Sequence, residues 1–230
     1  MTLLTRRSFV ETAGLGMAAM GMLPVTSEAQ LTYRKQDWKM SEFDKLVKNP
    51  ARVKQVFDIR PIGEGKFLNN IKNSLNGLEF GFGIPQQQIK IVAALHGPSN
   101  MLNFNDAAWE KYRIGEWFEV KDPLTGAPAV RNIYFPQKPG KTSDPNDPNS
   151  TLQDTSIQAL QARGVSFLSC HTATEEQVRA LVKQRNLKDP VEDIVQDLQA
   201  HILPNVVIVP AMVATVALLQ SEGHFTYITV

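Results

Sequence analysis

Ile89-Lys90-Ile91-Val92-Ala93-Ala94-Leu95 is an apolar run broken by a single charge, and His96-Gly97-Pro98-Ser99 follows it at once. A short, nearly continuous apolar stretch bounded by turn residues reads as a strand covered on both faces, the mark of a parallel sheet between helices. Pro98 is well placed to open the helical turn that follows. Upstream, Val53 to Ile59 alternates apolar and polar residues and predicts another strand. Between them, Phe67, Leu68, Ile71, Leu75 and Leu78 recur at helical spacing over Glu64 to Leu78, until Gly77 and Gly81-Phe82-Gly83 break the pattern.

Downstream the same alternation continues. Helices are expected over Asn105 to Tyr112, Thr151 to Arg163, Thr174 to Gln184, Pro190 to Ala200 and Met212 to Gln220. Thr174 with Gln177 fits a capping box. Strands are expected over 165–169, 206–209 and 225–228. Strand and helix in alternation argue for an α/β fold: one doubly wound domain on a mainly parallel five-stranded sheet. Residues 121–151 interrupt it. They are dense in Pro, Gly, Asp, Asn and Ser and predict a surface excursion or a lid, pinned by Ile133-Tyr134-Phe135.

The N-terminus has a different character. Arg6-Arg7 precedes an apolar stretch, Phe9 to Leu23, and Ser27-Glu28-Ala29 then offers small residues where a signal peptidase reads. The stretch is shorter than the roughly 20 apolar residues a bilayer span needs. The order of features resembles a twin-arginine (Tat) signal over residues 1–29, which implies transient engagement of the Tat translocase and a periplasmic or secreted mature chain. No stable membrane anchor is expected. Residues 30–52 are polar and mixed and predict a surface segment; the domain proper is 53–230.

Composition narrows the rest. Of 230 residues, 43% are hydrophobic and 20% charged, and the net charge is +1, which suits a globular core and excludes a broad nucleic-acid footprint. Cys170 is the one cysteine, so no intramolecular disulfide forms. There is no Walker loop, no Gly-x-Gly-x-x-Gly after a strand and no Gly-x-Ser-x-Gly elbow, and no cofactor is implied. The histidines His96, His171, His201 and His224 have no zinc-ligand spacing, so no metal is expected unless the fold converges Cys170, His96 and His171.

In doubly wound folds, ligands gather at the carboxyl ends of the strands. His96-Gly97-Pro98, Ser169-Cys170-His171-Thr172 and Pro210-Ala211-Met212 each end a strand and precede a helix. A cysteine against the positive end of a helix is favoured as thiolate and is nucleophilic. Cys170 is therefore the candidate nucleophile or persulfide carrier. His96 and His171 are its candidate neighbours, and Gly97, Pro98, Pro210 and Met212 are expected to line a pocket.

Four blocks carry a resemblance: Lys90 to Pro98, Leu160 to Cys170, Leu203 to Ala211, and Leu218 to Ile228. In order and spacing they resemble the DsrE/DsrF-like (YchN-like) family, from about residue 53 onward. The resemblance implies a five-stranded α/β domain, a homotrimer or homohexamer, and sulfur carried as a cysteine persulfide, with Cys170 at the position of the family's cysteine. It also implies a sulfur donor or acceptor protein as partner. Two departures stand out. The 121–151 insertion looks like a feature of exported relatives, and Met212 stands where many relatives have glycine. Two functions follow: a periplasmic sulfur-handling or thiol-redox protein, or a non-catalytic oligomeric module that binds a small ligand or partner.

Overall fold

The computed structural model describes residues 38, 40–140 and 142–230. The signal-peptide reading of residues 1–29 lies outside them. Five strands form one sheet: β1 (Val53–Ile59), β2 (Ile89–Leu95), β3 (Ser166–Cys170), β4 (Val206–Val209) and β5 (Thr226–Thr229). The order is β4-β3-β2-β1-β5, and every pairing is parallel.

That order decides where the helices go. From β1 to β4 the chain steps in one direction, so right-handed crossovers put the connecting helices on one face. These are α2 (Lys66–Asn76), α3 (Asp106–Lys111), α4 (Ile114–Trp117), α5 (Ile157–Ala162), α6 (His171–Arg185) and α7 (Val191–Ala200). The last crossover returns past the whole sheet, so α8 (Met212–Ser221) covers the opposite face. It shares that face with α1 (Ser41–Val47), which lies in the segment expected only to wrap the surface.

Two cores result. The larger holds Phe57, Ile59, Ile91, Leu95, Trp109 and Phe167 with the helices of the first face. The smaller holds Val56, Val92, Ala94, Leu168 and Cys170 under Phe43 and Leu46 of α1 and Met212, Val216 and Leu219 of α8. Strand residues alternate between them, as the pleat requires.

The sequence places the strands to within one residue; two helix starts differ by three residues or more. Helix 151–163 is only α5, preceded by a short turn at Thr151–Gln153. Asp154 accepts from the N–H groups of Ser156 and Lys138, a side-chain turn that displaces helical backbone bonds, and Ser156 then caps α5. Helix α6 begins at His171 rather than Thr174, because Cys170 is its cap and Thr174 instead donates its hydroxyl to the Cys170 carbonyl.

Among its described residues the 121–151 segment has isolated bridges but no helix or strand until the 3-10 turn that begins at Thr151. None of its apolar anchors belongs to the core around Cys170. Val120, Ala129 and Ile133-Tyr134-Phe135 pack into the larger core, on the other face. Gly115 permits this: a Cβ there would collide with the Ala129 backbone. Asn132 then ties the segment down by donating to the carbonyls of Leu102 and Phe104.

Candidate functional site

Cys170 ends β3 on the smaller-core face and is 3% exposed. Its sulfur is held from three sides. The Ala173 N–H of α6 donates at 3.4 Å and the Met212 N–H of α8 at 3.3 Å; Thr172 Oγ1 lies at 3.1 Å. A thiol can donate to the Thr172 oxygen, and on loss of the proton the hydroxyl can turn and donate back. Two helix N-termini thus converge on one sulfur atom, an arrangement that stabilises negative charge. The Met212 side chain is buried in the smaller core with Cys170, and its backbone N–H donates to the sulfur.

A buried amide sets this turn. Asn100 lies in the 3-10 turn Gly97–Asn103 and is fully buried. Its Oδ1 accepts from the Cys170 N–H at 2.9 Å and from Ser169 Oγ at 3.0 Å. Its Nδ2 donates to Thr174 Oγ1 at 2.8 Å and to the Cys170 carbonyl at 3.3 Å. Asn103 adds a bond from its own amide to the Leu168 carbonyl at 3.2 Å. Gly97, at φ +57°, turns the chain from β2 into this segment with Pro98 at its start. Gly97 and Pro98 therefore build the scaffold behind Cys170.

His96 continues β2 in extended conformation. Leu95 pairs with Ser169, so His96 and Cys170 hold the next positions on neighbouring strands. The His96 ring reaches to β1, where Nε2 bonds Asp58 Oδ1 at 2.7 Å. The other Asp58 oxygen accepts from the Tyr227 hydroxyl of β5 at 2.6 Å. That bond, with a little burial, raises the Tyr227 phenol above its ordinary pKa, so the hydroxyl stays a donor.

His171 turns away. Its Nδ1 meets Gln199 Nε2 of α7 at 2.6 Å and its ring stands edge-on to Trp38, with centroids 5.2 Å apart. Among the described residues no hydrogen bond joins it, or His96, to the Cys170 sulfur. Nor do three His, Cys, Asp or Glu side chains converge among them to hold a metal.

Burial lowers the His171 pKa from its ordinary value, with the Glu175 carboxylate opposing. The unfolded chain then binds this proton more readily than the folded one. Stability is full above the ordinary histidine value of about 6.5 and falls as pH drops through it. Replacing His171 with Gln is expected to flatten the pH dependence of unfolding free energy between about pH 6.5 and 5, by at most ~1.4 kcal/mol per pH unit. Denaturant titrations across that range check it, and an unchanged slope would refute it.

Pro210 lines a groove of about 350 Å³ between α1 and α8, with Trp38, Met40, Phe43, Val47 and Leu218. Sequence reasoning placed Pro210 near the site but missed α1, Asn100, Asp58 and Tyr227. Asp58 had one legible signal: it is a charge near the carboxyl end of a strand otherwise rich in apolar residues. No family model, curated protein or solved structure matches the chain.

Proposed function

We propose that the chain is a DsrE-like sulfur carrier, exported by the twin-arginine route and holding sulfane sulfur on Cys170. The observation that carries this reading is the pair of backbone N–H groups, from two different helices, aimed at one sulfur atom. A persulfide on Cys170 is an anion or a strong acceptor, and these donors suit either. A five-stranded α/β domain is also what the resemblance implies, and the strand-end cysteine supports the reading. Incubation of the purified protein with inorganic polysulfide is the direct test. Intact mass is expected to rise by whole sulfur atoms, reversed by dithiothreitol and absent in Cys170→Ser. An unchanged wild-type mass argues for the second reading, a ligand-binding module, which the closed Cys170 and the apolar groove beside α1 favour.

Assembly as a homo-oligomer, a trimer or hexamer, belongs to the same proposal. Trp109 is fully buried, and Trp117 and Tyr134 are half-buried against the core, so these aromatics offer little surface. Helix α8 offers more: it is apolar nearly all round, with Val213 76% and Leu218 39% exposed. A helix with no polar face is ordinarily covered. Light scattering should give a mass well above one chain; a monodisperse monomer would count against assembly. Export stands on the sequence alone: Arg6-Arg7, the apolar stretch Phe9 to Leu23 and the Ser27-Glu28-Ala29 site. Among the described residues, no helix is long and apolar enough to cross a membrane.

A further inference from the structure

Asp58, His96 and Cys170 end three adjacent strands, β1, β2 and β3, on one face of the sheet. Val56, Val92, Ala94, Leu168 and Cys170 all belong to the smaller core, and the pleat puts Asp58 and His96 on that side too. Neighbouring strands lie about 4.8 Å apart. His96 and Cys170 are therefore level on neighbouring strands, while Asp58 pairs with Ala94, one side-chain position earlier, and Tyr227 of β5 with Val56, so the line runs diagonally across the sheet and is joined by the His96–Asp58 and Asp58–Tyr227 bonds.

Chemistry fixes the protons in this line. The Tyr227 hydroxyl donates to Asp58 Oδ2, and a carboxylate bonded this way is an acceptor at both oxygens. The bond from His96 Nε2 to Oδ1 must then run from a protonated Nε2. In the neutral ring that leaves Nδ1 as the free acceptor. The His96 and Asp58 side chains are 15% and 20% exposed, so the pair is largely shielded yet open to solvent at one edge. A base oriented by a carboxylate and placed beside a nucleophile is the arrangement that activates cysteine in unrelated enzymes.

We infer that His96 is the proton acceptor for Cys170 and that Asp58, steadied by Tyr227, is the positioning residue that sets its tautomer. This inference rests on the sulfur-carrier reading. In the step it serves, the proton on Cys170 Sγ passes to His96 Nδ1. The thiolate attacks the outer sulfur of a persulfide donor, R–S–SH. The donor S–S bond breaks as the Cys170 Sγ–S bond forms. The electron pair leaves on the donor thiolate, which takes the proton back from the imidazolium. Products are the Cys170 persulfide and R–SH, with no net oxidation. Geometry tightens from resting to reacting states in such sites, so the absence of an Sγ–His96 bond in the closed molecule is compatible with the step.

The experiment uses glutathione persulfide as donor and follows sulfur uptake by intact mass. It compares wild type with Asp58→Asn, Asp58→Glu and Tyr227→Phe, alongside the ring-nitrogen NMR spectrum of wild-type His96. The wild-type ring is expected to carry its proton on Nε2. Asp58→Asn, whose amide can donate and so invert the tautomer, should slow uptake at least about tenfold. Asp58→Glu should restore part of the rate, and Tyr227→Phe should lose roughly fivefold, the worth of one ordinary hydrogen bond. The last variant removes a single surface hydroxyl and keeps the test sound if Asp58 variants unfold. A wild-type proton on Nδ1, or undiminished uptake in both Asp58→Asn and Tyr227→Phe, overturns the relay alone. Wild-type protein that takes up no sulfur overturns the carrier reading and the relay with it.

Discussion

Asn100→Ala is expected to cost about 3–4 kcal/mol of folding stability. The side chain is fully buried and bonds four groups of the β3–α6 turn: the Cys170 N–H, the Ser169 hydroxyl, the Thr174 hydroxyl and the Cys170 carbonyl. Alanine deletes these bonds and leaves a cavity too closed for easy repair. The Cys170 N–H is the costliest loss, because an unpaired buried donor forfeits its full hydration, ~1–3 kcal/mol. Ser169 and Thr174 can turn toward other acceptors and recover part of theirs. The Cys170 backbone, and with it the aim of its sulfur at the two helix N-termini, is fixed chiefly by this one amide. The midpoint of urea unfolding should fall with an unchanged slope, and a loss under about 1 kcal/mol would mean that Asn100 is not the anchor.

Phe43→Ala is expected to speed iodoacetamide labelling of Cys170 in the folded protein at least about tenfold. Cys170 is 3% exposed, so labelling must wait for local opening. Among the described residues the first face is roofed by six helices and the second by α1 and α8 alone. Of these, α8 is bound at both ends to β4 and β5, whereas α1 joins the described chain at β1 alone. Phe43 and Leu46 are the two buried side chains that dock α1, and the groove beside Pro210 already separates it in part from α8. Truncating a buried phenylalanine typically costs ~3–5 kcal/mol. Most of that loss should fall on the docking of α1, raising the open population from which the thiol reacts. Labelling rates measured well below the unfolding midpoint distinguish local from global opening. A rate equal to wild type would show that α1 is not the cover of Cys170.

These two residues mark where sequence reading stops. The strands were legible because apolar runs such as Ile89–Leu95 and Val206–Val209 have few other uses, and all five stand within one residue of expectation. Parallel pairing followed from the intervening helices. Cys170 was legible as a strand-end residue, since only local order was needed to place it. Its partners were not, because they come from afar: Asn100 lies 70 positions away, Met212 lies 42 away, and Tyr227 meets Asp58 across 169. No local pattern marks an amide that will be buried against a distant turn. The helix start at His171 was missed for a related reason. Cysteine is a rare cap, and the Thr174–Gln177 pattern offered a more familiar one. His171, next to Cys170 in sequence, lies on the α7 side of the helix, because neighbouring positions at a strand end point to opposite faces.

Intact mass of the native protein tests at once whether Cys170 carries sulfur and whether the chain is exported. Protein isolated from periplasm under non-reducing conditions, after sulfide or thiosulfate exposure of the cells, should begin at Gln30 and carry at least one added sulfur atom on Cys170 that dithiothreitol removes. A full-length chain, or a mature chain whose Cys170 remains a plain thiol after that challenge, would contradict the account.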